Sequence, residues 1–265
     1  MRRAGRLMAS LLGAVLTATP LGATPAGAVV GGQEARPHAY PYVAALVDVE
    51  ERRGFCGAVL VDDRHLLTAA HCLTGSYGDT RRVAVLLGDH DLTTGTESPY
   101  AVLARPSRFT RHPAYDPGTQ RDDIAVITLS RPVRHDRGVR PVRLPAHTAP
   151  DAFDRTRVEV AGWGATSFGG GPSPVLRTVT LETMGNRTCA ARGVTGLTPA
   201  QICTYAPGRD ACVYDSGGPL VHRDRDGRPT LVGLVSYGRG CATSTPAVNT
   251  RVGAHLGWIA RATSA

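Results

Sequence analysis

Asp215-Ser216-Gly217-Gly218-Pro219, read with Thr68-Ala69-Ala70-His71-Cys72 and Asp123-Ile124-Ala125-Val126, decides how this chain is understood. A serine hydroxyl is a poor nucleophile at neutral pH, so it needs a base in contact and a group that orients the base. Histidine suits the base role because its ordinary pKa lies near 6.5, and a buried carboxylate can hold its tautomer. The three segments supply one candidate of each kind, set among small residues that let backbone approach closely. An α/β-hydrolase elbow is a poor fit: it needs glycine two positions before the serine, where this chain has Tyr214, and its partners follow in another order.

Working outward, short β-type runs recur at Tyr42–Val47, Ala58–Val61, His65–Thr68, Val83–Leu87 and Ile124–Leu129. They continue at Val158–Ala161, Val175–Leu181 and Leu231–Ser236. Clusters of glycine, proline, aspartate and serine separate them, the punctuation of an all-β sandwich or barrel. One helix is expected, at Val252–Ala262, with Leu256 and Ile259 on one face bordered by Trp258. Arg131–Pro150 is rich in proline and arginine and lacks apolar periodicity, so it reads as the linker between two halves.

Residues 1–28 read as a leader. Arg2, Arg3 and Arg6 precede an apolar run, Leu7–Ala18, and small residues lead to Ala26-Gly27-Ala28, an A-x-A-like cleavage site. The run is shorter than the roughly 20 residues that span a bilayer, so secretion is expected and no membrane association after removal of the leader. Of 265 residues, 237 remain, with the net charge falling from +8 to +5. All basic residues are arginine. They do not cluster with aromatics as a nucleic-acid site would, which excludes that class of partner. Six cysteines in a secreted chain imply three disulfides with about 15 pairings open, and no ligand spacing suggests zinc.

On these residues the chain resembles the chymotrypsin-fold serine proteases of the trypsin subgroup, in particular small secreted actinobacterial trypsins with three disulfides. The resemblance spans 29–265. It implies two antiparallel six-stranded β-barrels, here 29–140 and 141–265, with the active site in the cleft between them and a C-terminal α-helix. It implies the catalytic set His71, Asp123 and Ser216. Asp123 rather than Asp122 matches the family's Asp-Ile-Ala pattern, and strand alternation turns Asp122 away. Ser236 would support the carboxylate. The pairings Cys56–Cys72, Cys189–Cys203 and Cys212–Cys241 follow from the same likeness.

The oxyanion hole would use the backbone N–H groups of Tyr214 and Ser216. The family has glycine at position 214, and a bulky residue resists any positive φ required there. Asp210 would floor the primary specificity pocket, walled by Ala211, Ser236, Tyr237, Gly238, Gly240 and Ala247. A buried carboxylate selects a cation, and loss of the family's serine hydroxyl at Ala211 favours arginine over lysine. Ala247 replaces a usual glycine, and Asn249 a usual tyrosine. Val29 would be the mature N-terminus, its amine pairing with Asp215. Ala28 precedes it, so either signal peptidase exposes Val29 or a second protease removes a propeptide 24–28. No organic cofactor is implied. Calcium at Asp89, Asp91 and Glu97 is a weaker suggestion of the acidic loop. Expected partners of this monomer are protein or peptide substrates and protein protease inhibitors. The competing reading is a catalytically weakened homologue that serves as a binding protein.

Overall fold

The computed structural model describes residues 29–94, 98–146 and 149–264; the leader 1–28 and the 24–28 propeptide therefore lie outside the described residues. In chain order the strands are β1 (Gln33–Glu34), β2 (Val43–Asp48), β3 (Arg53–Leu60), β4 (His65–Thr68), β5 (Val83–Leu87), β6 (Val102–Ala104), β7 (Pro106–Arg111) and β8 (Ala125–Leu129). The second half adds β9 (Arg157–Gly162), β10 (Arg177–Met184), β11 (Gln201–Tyr205), β12 (Pro219–Arg223), β13 (Pro229–Tyr237) and β14 (Ala247–Arg251). Two α-helices, α1 (Asn186–Ala191) and α2 (Leu256–Thr263), and three 3-10 turns, Ala70–Leu73, Gly75–Gly78 and Val252–His255, complete the elements among the described residues. All strand pairings are antiparallel.

The second sheet closes on itself. Its order is β10-β11-β14-β13-β12-β9, with β9 pairing back onto β10 to give a six-stranded barrel, and β1 adds to the outside of β10. The first sheet runs β6-β5-β2-β3-β4-β8-β7. It curls into a half-barrel whose edge strands β6 and β7 are consecutive in the chain, separated by Arg105 alone. The extra strand of the second sheet comes from the start of the chain, so the first few residues of 29–140 belong physically to the other half.

Register places the functional segments. Thr68 at the end of β4 pairs with Ala125 at the start of β8. Chain leaving β4 and chain entering β8 therefore meet at one end of the sheet, which is where His71 and Asp123 lie. In the second barrel Pro219 at the start of β12 pairs with Leu234 near the end of β13, bringing Ser216 and Ser236 to a common rim. The rims face each other: the Gly57 N–H on β3 donates to the Ser216 carbonyl at 2.8 Å.

Each half has its own apolar filling, Leu46, Leu60, Leu66 and Ile127 in one and Val158, Leu181, Ile202 and Leu220 in the other. A third cluster fills the seam, with Tyr42, Leu67 and Ile124 from the first half against Trp163, Leu234 and Ile259 from the second. The expected C-terminal helix is present but starts later. Val252–His255 form a 3-10 turn, and α2 then lays the buried Ile259 and Ala262 into the seam. The described part of the 131–150 linker is packed: Val139 and Val142 are buried, and the Val142 N–H donates to the Leu60 carbonyl at 3.0 Å.

Because α2 fills the seam with one side chain from each turn, truncating Ile259 to alanine should cost about 3 kcal/mol. Urea denaturation of I259A checks this; an unchanged midpoint would contradict the packing role.

Candidate active site

Asp123 has no solvent exposure, and a carboxylate in that position must be hydrogen-bonded on most of its lone pairs. It is. The His71 backbone N–H donates to Oδ1 at 2.9 Å, the His71 ring contacts Oδ2 through Nδ1 at 2.8 Å, and the Ser236 hydroxyl donates to Oδ2 at 2.6 Å. Thr250 adds a hydroxyl bond to the Asp123 carbonyl at 2.7 Å. An acceptor-only carboxylate against Nδ1 assigns the proton to Nδ1 and leaves Nε2 basic, facing the cleft. Asp122 is turned elsewhere, in a left-handed conformation with φ 51°, its carboxylate 3.6 Å from the His255 ring.

Ser216 sits half-buried on a tight turn fixed from both sides. The Gly217 N–H donates to Val235 at 2.8 Å and the Gly218 N–H to Asp215 at 2.9 Å. Gly217 has φ 77°, and a Cβ there would strike the Thr68 hydroxyl and the Gly57 carbonyl, so only glycine permits this approach. Ser216 and His71 line one cavity of about 590 Å³. The Cys56–Cys72 disulfide borders it beside His71, and Cys212–Cys241 borders it beside Asp210; Cys189–Cys203 is the third bond.

Every residue expected in the specificity pocket lines this cavity: Asp210, Ala211, Ser236, Tyr237, Gly238, Gly240 and Ala247. Asp210 is 6% exposed, and burial pushes its pKa up to about 6 against the opposing pull of backbone N–H groups from Ala242 and Ala211. Among the described residues no cationic side chain pairs with it. Asn249 reaches the same wall while its amide is held by Thr204 at 3.0 Å. The floor is tied to the start of the described chain, since the Asp210 N–H donates to the Val30 carbonyl at 3.1 Å.

Val29 itself is fully buried among Val158, Val160 and Ile202. Asp215 is 1% exposed, accepts the Gly164 and Cys212 N–H groups at 2.9 Å each, and is pushed up to about 7 by desolvation. Its seat is carved from glycine, because a Cβ at Gly162 or Gly164 would overlap the carboxylate. Tyr214 adopts the left-handed conformation with φ 76°. The conformation glycine would take is thus imposed on tyrosine, at a cost of roughly 1–3 kcal/mol that the surrounding loop must hold.

Sequence reasoning missed part of the wall. Phe55 stacks on Tyr77 with centroids 3.9 Å apart, and both line the cleft, as do Phe168 and Val213. Phe55 could have been found as the neighbour of Cys56; Tyr77 and Phe168 carry no local signal. The calcium residues fare differently. Glu97 lies outside the described residues, Asp91 Oδ1 accepts both the N–H and hydroxyl of Thr93, and Asp89 Oδ1 accepts the His90 N–H.

Two facing β sheets, with a serine, a histidine and a buried aspartate brought to their shared rim, are the architecture of the chymotrypsin-fold serine proteases. Residues 29–259 match the family model described as Trypsin, and the chain belongs to that family. Among curated relatives it is 37% identical to transmembrane protease serine 9 of Rattus norvegicus over 87% of this chain and 21% of that protein. It is 33% identical to venom serine protease 34 of Apis mellifera over 87% of this chain and 57% of the other. A trypsin of Phaedon cochleariae is 32% identical over 87% of this chain and 86% of its own length. The chain thus spans little more than half, or less, of the first two.

Gly164→Ala should expel the Asp215 carboxylate from its seat and with it the N–H bonds that order the loop before Ser216. Loss of two bonds to a charged group predicts a fall in kcat/KM on the order of 100-fold. Steady-state kinetics on a small arginyl amide measures it, and near-normal turnover would refute the seat.

Proposed function

We propose that this chain is a secreted trypsin-like endopeptidase, similar in kind to the small actinobacterial trypsins, that hydrolyses peptide bonds after arginine and less well after lysine. The observation that carries the reading is Asp210, a buried carboxylate without a cationic partner among the described residues, in the same cavity as Ser216 and His71. Ionised, it is costly until a substrate guanidinium pairs with it. Ala211 offers no hydroxyl to a lysine ammonium, whereas arginine can make a bidentate contact with the carboxylate alone.

Ser216 Oγ attacks the carbonyl carbon while His71 Nε2 takes the hydroxyl proton, and Asp123 stabilises the imidazolium. The oxyanion is received by the N–H groups of Ser216 and Tyr214, each donor worth roughly 3 kcal/mol in the transition state. Collapse breaks the C–N bond, His71 protonates the departing amine, and an acyl-enzyme remains on Ser216. Water then repeats the sequence, its proton passing through His71, and releases the acid. The positive φ of Tyr214 supports a retained hole, while its ring narrows the leaving-group side against bulky inhibitors.

Activation follows from Asp215. A raised carboxylate pKa means the ionised form costs stability increasingly as pH rises through about 7, and that cost disappears when a cation is supplied. The amine freed at Val29 is that cation, and the leader composition and three disulfides support export to an oxidising compartment. The enzyme acts as a monomer on protein or peptide substrates and meets protein inhibitors there.

Covalent labelling of Ser216 by an organophosphonate probe tests the reading, and an unlabelled processed protein would favour the binding-protein alternative. Paired arginyl and lysyl chromogenic substrates should differ in kcat/KM by about tenfold in favour of arginine; equal values would refute the preference. Ionised Asp210 is lost as pH falls through about 6. Benzamidine affinity should therefore weaken about tenfold per pH unit below that point, and a flat profile in competitive inhibition assays would remove Asp210 from the pocket floor.

A further inference from the structure

Neither the strand period nor the helix period fits the segment that joins the two halves, but a period of three does. Arg131-Pro132-Val133, Arg134-His135-Asp136, Arg137-Gly138-Val139 and Arg140-Pro141-Val142 run head to tail, and Arg143 closes the series. All five arginines are exposed, while Val133, Val139 and Val142 are buried. Val133 and Val139 pack into the filling of the first half and Val142 into the seam. The inward valines thus hold the arginines outward.

A run of like charges is ordinarily a disordered tail, because it repels itself. This one is fixed. The N–H groups of Val133, Arg140 and Val142 donate to the carbonyls of Asp63, Pro41 and Leu60 at 2.8, 2.9 and 3.0 Å, and the Arg143 carbonyl accepts the Leu231 N–H at 2.9 Å. The Asp136 N–H donates to the Val139 carbonyl at 2.9 Å, closing a turn with Arg137 at its tip and Arg134 and Arg140 on either side. The Asp136 carboxylate is folded back onto the chain, where Oδ1 accepts the Gly138 and Val139 N–H groups at 2.8 and 2.9 Å. Arg143 pairs with Asp224 at 3.1 Å, but Arg131, Arg134, Arg137 and Arg140 have no carboxylate partner among the described residues. Asp63 is the acid at the start of the run, and Arg64 and Arg105 flank it there, their carbonyls accepting the N–H groups of Leu129 and Ser130 at 2.8 Å each.

We propose that this arginine series, residues 131–143, is a docking surface for a linear acidic polysaccharide whose sugars carry carboxylates, and that it holds the enzyme on such a polymer while the cleft stays open. One exposed ion pair is worth little. A partner must therefore engage several guanidinium groups at once, as a chain of repeated charges does. Each guanidinium presents a planar fork that matches a carboxylate. Within the segment there is no phenylalanine, tyrosine or tryptophan to stack a base, which disfavours a nucleic acid. The tethered backbone means that little order is lost on binding. Asp123 precedes β8 and Arg131 follows it, so the catalytic rim and the arginine series lie at opposite ends of that strand. The inference does not depend on the specificity read from Asp210.

The test measures binding of the processed full-length protein to immobilised polygalacturonate, with neutral dextran and double-stranded DNA as the other two surfaces. The protein should be retained on polygalacturonate, pass through dextran, and be released from the former at about 0.5 M sodium chloride, where screening is strong. The triple variant Arg134→Gln, Arg137→Gln, Arg140→Gln should bind polygalacturonate at least about tenfold more weakly. A second triple variant, Arg36→Gln, Arg187→Gln, Arg225→Gln, loses the same charge from exposed positions elsewhere and should bind as the parent does. Urea midpoints of both variants, unchanged from the parent, report that the fold is intact. Equal weakening in the two variants would reduce the effect to net charge and overturn the surface. Absence of retention on polygalacturonate, or tighter binding to DNA than to polygalacturonate, would overturn the assignment of the partner.

Discussion

A carboxylate removed from water must be answered by donors or by a cation, and the seam of this protein is organised around three such groups with three different answers. Asp123 is met by two N–H groups and a hydroxyl, so it is settled as it stands. Asp215 receives two backbone N–H groups and Asp210 receives N–H groups from Ala242 and Ala211, and burial still raises the pKa of both. The degree of satisfaction sorts them by use. The settled carboxylate fixes a histidine, and the two unsettled ones are those to which the proposed function brings a positive charge.

This arrangement makes the two halves inseparable. Neither sheet alone holds both ends of the network: His71 and Asp123 emerge from β4 and β8, whereas Ser236 and Thr250, which hold Asp123, lie on β13 and β14. The apolar seam makes the same exchange, with Leu67 and Ile124 packed in one cluster with Leu234 and Ile259. Hydrophobic burial supplies the cohesion, and the polar bonds supply the registry. An apolar interface by itself slides; one threaded with obligatory hydrogen bonds has a single setting.

Much of this was legible in the chain before any coordinates. The triad segments could be read because catalysis demands rare combinations in small-residue settings, and the strands β4 and β5 because their apolar runs match their buried lengths. Other elements were invisible for physical reasons. In β14, Ala247-Val248-Asn249-Thr250-Arg251 is wholly buried, yet its polar residues bond to partners far away in sequence, such as Arg251 Nε and Nη2, which donate to the Pro199 and Gln201 carbonyls. β7 carries exposed serine and arginine, and α1 is too short to show a period. The glycine seat of Asp215 could not be found from Gly162-Trp163-Gly164 alone, because its meaning depends on a residue some fifty positions later. Tyr214 stood out as unusual from sequence, but its left-handed backbone needed three dimensions.

The burial of Val29 has a practical corollary when joined to the all-arginine composition. A chain beginning at Val29 contains one primary amine, and that amine lies inside the protein. Succinimidyl dyes, aldehyde fixatives and amine-based crosslinkers would find no accessible handle on it, whereas a chain extended before Val29 would present its α-amine elsewhere. Amine chemistry then becomes a direct stain for the unprocessed form.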